Sequence, residues 1–149
     1  GNAHGLTHAV KKKDGWQNLG TYNRYQAEEF GRFVSKLKNT NEPRGEGNML
    51  DNTFAMHGSA SSSFHLSRNY PIISAGGKNL GFANGRYLKY VGLREDGSLP
   101  GAGVISDAGW NSKVAEEEPP LAKLFVSILQ RLGVETDSFA GYSGTLERV

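Results

Sequence analysis

The sequence contains no cysteine. That excludes a disulfide framework, a thiolate zinc site, an iron–sulfur cluster and a cysteine nucleophile. It is silent on compartment, because exported proteins can also lack the residue. Long apolar runs are missing too: the longest extend only a few residues, far short of the ~20 that a bilayer-spanning helix needs. Gly1 is followed by neither a basic nor an apolar segment, so no signal peptide is expected in these residues. Charge of one sign is not in excess either. Lys plus Arg number 17 against 15 Asp plus Glu, a formal balance of +2, too small to argue for a nucleic-acid or membrane-surface partner. What is present suits a folded chain: with 37% hydrophobic and 21% charged residues, it is neither disordered nor transmembrane in composition. A chain of 149 residues is about one domain long and buries roughly 68–70% of its unfolded surface.

The pattern along the chain changes several times. Residues 1–20 show no steady period and include Gly1, Gly5, Gly15 and Gly20, which reads as a loop or arm. From Thr21, a plausible N-cap, the apolar residues follow a helical period: Tyr22, Gln26, Phe30, Phe33, Val34 and Leu37 share one face. Glu28, Glu29, Arg32 and Lys36 suit the solvated opposite face. Pro43, Gly45 and Gly47 then punctuate a flexible connection. Two short apolar runs, Met49–His57 and Tyr70–Ala75, have the form of buried strands. Asn84-Gly85 predicts a hairpin turn into a strand over Arg86–Val91. Residues 92–118 are rich in Gly, Ser and Asp and read as a long surface loop. Glu116–Glu118 with Pro119 and Pro120 open a last helix. Its stripe is Leu121, Leu124, Phe125, Ile128 and Leu132, and Gly133 is the expected residue just past its end. Phe139, Tyr142 and Leu146 are candidate anchors in the polar tail. The order predicts a single α/β domain over 1–149, a small mixed sheet flanked by helices.

Chemistry-bearing residues are few. His4 and His8 stand four apart, the spacing of a zinc pair on one helix face. The glutamate of the metalloprotease motif is missing, Gly5 weakens a helix, and the plainer reading is a polar surface loop. His57 ends the first strand, where open α/β sheets face a ligand crevice; a satisfied structural histidine is the alternative. His65 follows the serine-rich turn Ser59–Ser63. Ser59 or Ser61 beside an imidazole are candidate oxyanion or substrate contacts, against a plain serine loop. A Ser-His pair without an orienting carboxylate is a weak signal for a triad. The candidate metal ligands are therefore His4, His8, His57 and His65, and the candidate metals are zinc, manganese and calcium. No cofactor-binding motif is found: Gly76–Gly81 fails the phosphate-loop order and leads to a hairpin. Lys11–Lys13 is too short for a nucleic-acid footprint.

In combination these segments resemble a known family. His4-Gly-Leu-Thr-His8-Ala9 resembles the motif of the HXXSHH family of uncharacterised bacterial proteins, with Thr7 for the serine and Ala9 for the final histidine. The resemblance continues through Leu50–Ser59, His65, Pro71–Gly77 and Gly85–Leu88. It reaches the end in Leu124–Val134, Asp137–Phe139 and Gly141–Gly144. It implies that the chain corresponds to the C-terminal part of longer, exported, envelope-associated proteins. The same order of elements is distantly similar to the C-terminal half of alkaline phosphatase and sulfatase-type hydrolases. In those enzymes the strand after Asp-Asn-Thr ends in an Asp-His metal pair. Here Ala60 and Ser61 hold that place, and neither replaces such ligands.

Two functions follow as expectations. The first is a non-catalytic binding or structural module of an exported protein, periplasmic or extracellular. The second is a divergent metal-dependent phosphate- or sulfate-ester hydrolase. A sheet lacking N-terminal strands should also leave an unpaired edge, and with it self-association, a homo-oligomer built through that edge. Neither nucleic-acid binding nor membrane insertion is expected.

Overall fold

In the computed structural model the described residues are 2–59, 70–88, 121–146 and 149. The expected loop over 92–118, the acidic and proline-rich start of the last helix, Ala60, Ser61 and His65 lie outside them. The chain divides into two compact units, 1–50 and 51–149, and helix and strand both contribute.

The first unit is helical where a loop or arm was expected. Helix α1 spans Ala3–His8, and α2 spans Gly15–Lys38. Asn2 starts α1 as its N-cap, its side-chain oxygen accepting from the Gly5 N–H at 2.7 Å. The chain then turns through Val10–Asp14, where the Lys12 N–H reaches the Ala9 carbonyl and the Gly15 N–H reaches that of Lys12, both at 2.9 Å. Asp14 sits in the left-handed region at φ 57°, and Gly15 is buried against α1. A Cβ at position 15 would stand 1.8 Å from the Ala9 carbonyl oxygen, so only glycine allows the corner.

Thr21 is therefore inside α2 and does not cap it. Its hydroxyl donates to the Gln17 carbonyl at 2.9 Å, the back-bond that mid-helix threonines favour. The expected stripe is present: Tyr22, Gln26, Phe30, Val34 and Leu37 are half-buried, joined by Leu19, while Phe33 is exposed. Beyond Lys38 the Thr40 hydroxyl donates to the Lys36 carbonyl at 2.7 Å. The chain after it folds back, Asn41 pairing with Asn48 as an antiparallel bridge. Gly47 makes that return at φ 83°.

In the second unit, strand β1 (Phe54–Gly58) pairs antiparallel with β2 (Ile72–Gly76), Phe54 opposite Gly76 and Gly58 opposite Ile72. Pairing among the described residues is antiparallel, where a mixed sheet was expected. Both strands are shorter than the apolar runs suggested. Met49–Asn52 forms a 3-10 turn, because Asp and Asn favour turns over strands and Asn79 holds the Asn52 side chain at 3.0 Å. Pro71 has no N–H for a ladder and lies just before β2.

The expected hairpin at Asn84-Gly85 does not form within the described residues. The Asn84 amide instead donates to the Gly76 carbonyl at 2.9 Å. Residues 86–88 are not in a strand, and 89–91 lie outside the described residues.

The core of this unit joins sheet and helix. Phe82 is buried and stacks on Phe54 with ring centroids 4.1 Å apart. Helix α3 spans Leu121–Arg131. Arg131, at its end, lies 4.8 Å over the Phe82 ring and donates to the Gly81 and Val149 carbonyls. Burial on α3 is wider than one stripe: Ala122, Leu124, Val126 and Ser127 are buried, Val126 fully, and Leu132 is exposed. Buried Ser127 has polar partners, accepting from the Leu146 N–H at 2.8 Å and donating to the Lys123 carbonyl at 3.1 Å. Gly133 closes the helix as expected, at φ 82°. Its N–H reaches Gln130 and the Val134 N–H reaches Leu129, both at 3.0 Å, a Schellman motif. A small hairpin of β3 (Ser138–Phe139) and β4 (Tyr142–Ser143) then packs on α3 through Phe125 and Phe139, centroids 5.3 Å apart.

Candidate metal site on the first helix

Helix α1 brings two of the sequence candidates together. Its six residues place His4 and His8 one turn apart on one face. The two Nε2 atoms are 3.0 Å apart, and the rings meet edge-on with centroids 4.6 Å apart. Both side chains are exposed. Without metal this contact is an N–H···N hydrogen bond, one imidazole donating to the other.

Gly5 and the brevity of α1 both work against a helix. Two features offset them: the Asn2 cap and the packing of α1 on α2 at Gly15. Asn2 is thus a positioning residue for the pair, while the Thr7 hydroxyl donates back to the His4 carbonyl at 2.8 Å. Reading 1–20 as a loop or arm passed over Asn2, although Asn ahead of helical spacing is a favoured N-cap and was the signal that could have found this helix.

Geometry and donor type together define what the pair can hold. Two nitrogens each ~2.0–2.1 Å from zinc stand roughly 3.3 Å apart at a tetrahedral angle and roughly 2.9 Å apart at a right angle. The observed 3.0 Å lies between these, so the separation of the two nitrogens suits one ion, although the ring that donates its N–H to the other must turn to aim its lone pair at that ion. Imidazole nitrogen suits zinc, copper and nickel, whereas calcium and manganese favour oxygen donors. Among the described residues no group of three or more His, Cys, Asp or Glu is placed to hold a metal ion.

Of the other candidates, His57 and Ser59 belong to the second unit. His57 stands within the β1 ladder, opposite Ile73 and half-buried, so it is flanked by sheet rather than placed beyond a strand end. Ser59 follows β1, its N–H donating to the Pro71 carbonyl at 3.3 Å. Ser61 and His65 lie outside the described residues. Among the described residues, no helix is long and apolar enough to cross a membrane. No family model, curated protein or solved structure matches this chain.

Proposed function

We propose that this chain is a binding module without a reaction of its own, and that its ligand is a divalent metal ion, zinc foremost, held between His4 and His8. The observation that carries this reading is the 3.0 Å separation of the two Nε2 atoms on an exposed helix face. Catalytic zinc sites use three protein donors and a water; a two-imidazole surface pair supports retention of an ion more than activation of a water. The resemblance to the HXXSHH family and, more distantly, to the C-terminal half of alkaline phosphatase-like hydrolases supports an exported, envelope-associated setting. The second reading, a divergent phosphate- or sulfate-ester hydrolase, draws on the coordination positions that two histidines leave to solvent or substrate.

Calorimetric titration with zinc, manganese and calcium tests both, run beside turnover of aryl phosphate and aryl sulfate. The expected result is zinc binding that weakens roughly a hundredfold in His4→Ala or His8→Ala, as a lost chelate arm demands, with no turnover. Zinc-dependent turnover abolished by the same substitutions would replace the module reading with the hydrolase. Failure of the wild-type chain to bind zinc would remove the metal site altogether.

A further inference from the structure

Asn84 is the one asparagine in the sequence followed directly by glycine. We propose that Asn84-Gly85 is a site of self-modification, where the folded chain reacts with water and the Asn84 carboxamide becomes a carboxylate. The Gly85 backbone nitrogen attacks Asn84 Cγ. The side-chain nitrogen leaves as ammonia, taking up the proton that the Gly85 nitrogen gives up. Water then opens the resulting cyclic imide at one of its two carbonyls. Opening at Cγ leaves aspartate, and opening at the main-chain carbonyl leaves isoaspartate, with an extra methylene in the backbone.

The surroundings favour the reaction here. Asn84 and Gly85 are both exposed. Gly85 takes φ 73° without strain, and no neighbouring atom stands within 4 Å of the place a Cβ would occupy. Among the described residues its N–H is not engaged in a hydrogen bond. The carboxamide is restrained by its donation to the Gly76 carbonyl at 2.9 Å, but a single exposed hydrogen bond opens often compared with so slow a reaction. Asp14-Gly15 is capable of the same ring closure and lacks this openness. The Lys12 carbonyl holds the Gly15 N–H at 2.9 Å, and the Ala9 carbonyl crowds the space beside it. Conversion at Asn84 then has a structural consequence. The product carboxylate has no N–H to donate, so acceptor faces acceptor at the Gly76 carbonyl. That carbonyl ends β2, and the next residue, Gly77, packs directly against the buried Phe82 ring. Modification therefore loosens the end of β2 and the turn to Phe82.

Incubation of the whole folded chain at mildly alkaline pH, followed by digestion and peptide mass spectrometry, tests the site. The peptide holding Asn84 should gain the mass of an amide-to-acid exchange and split into aspartate and isoaspartate forms, ahead of the other asparagines. Gly85→Ala should slow this roughly tenfold, because a Cβ crowds the attacking nitrogen and resists a positive φ. Hydrogen exchange tests the consequence: Asn84→Asp, which carries the product carboxylate, should exchange the amides of Ile72–Gly76 and Phe82 faster than the unreacted chain. An Asn84 that stays intact in the folded chain while converting in urea would show that the fold protects it, and would overturn the site. Conversion no faster than at the other asparagines would do the same. Unchanged exchange in Asn84→Asp would overturn the loosening.

Discussion

Ala140 turns the β3–β4 hairpin at φ 51°, followed by Gly141 at φ 83°. Two consecutive left-handed residues are what a two-residue hairpin needs, but an alanine Cβ is strained in that region. Ala140→Gly should therefore raise stability by about 1 kcal/mol, read as a higher urea midpoint with unchanged slope. The opposite change at Gly15 should be costly. A methyl there would overlap the Ala9 carbonyl, so Gly15→Ala should destabilise the α1–α2 corner by about 1–3 kcal/mol. Loss of amide protection in α1 by hydrogen exchange is the measurement. Both positions show why single residues were only partly legible. Glycine-rich sequence around Gly15 suggested a loop, yet the glycine is there because two helices meet at that atom.

Ion pairs along α2 act at the scale of the element. Arg24 donates to Glu28 at 2.7 Å, and Arg32 pairs with Glu29. The hydrogen bond from Arg32 holds the Glu29 carboxyl below the ordinary carboxylate range and, reciprocally, raises Arg32. A carboxyl depressed in the folded state stabilises it at pH above its ordinary range and loses that contribution as pH falls through the lowered value. Acid titration of α2 helicity should accordingly show a small loss in that window, and Glu29→Gln should flatten it. Being solvent-exposed, the pair should weaken further in salt. The helical spacing that revealed this pair in the sequence also revealed the half-buried stripe from Tyr22 to Leu37, because both depend only on 3.6 residues per turn. The start of α2 was not legible in the same way. Thr21 has the chemistry of a cap, but the helix was already formed six residues earlier, so its hydroxyl turns back to Gln17.

For the whole molecule, the proposed metal binding would be linked to stability. Any ligand that binds the folded state alone adds RT ln(1 + [L]/Kd), about 2.7 kcal/mol at a hundredfold excess over Kd. Zinc should therefore slow hydrogen exchange at the amides of α1, and His4→Ala should remove that protection. An unchanged exchange rate in saturating zinc would mean that the ion does not select the folded pair. The chain falls into two compact units, with antiparallel pairing in the second, features that composition and length did not reveal. Strand pairing joins residues far apart in sequence, Phe54 with Gly76 for instance, and no local period encodes which partner a strand takes.

The sequence by itself determined the amphipathic faces of α2 and α3, the glycine that ends α3, the absence of thiol chemistry and the spacing of His4 and His8. Each of these depends on residue identity and short-range geometry. The tertiary structure decided that 3–8 is helical despite Gly5, that the two imidazole nitrogens meet, and that His57 sits within a ladder. Those outcomes depend on what the backbone packs against: a buried Gly15 corner and a cross-strand partner, neither of which adjacent residues specify.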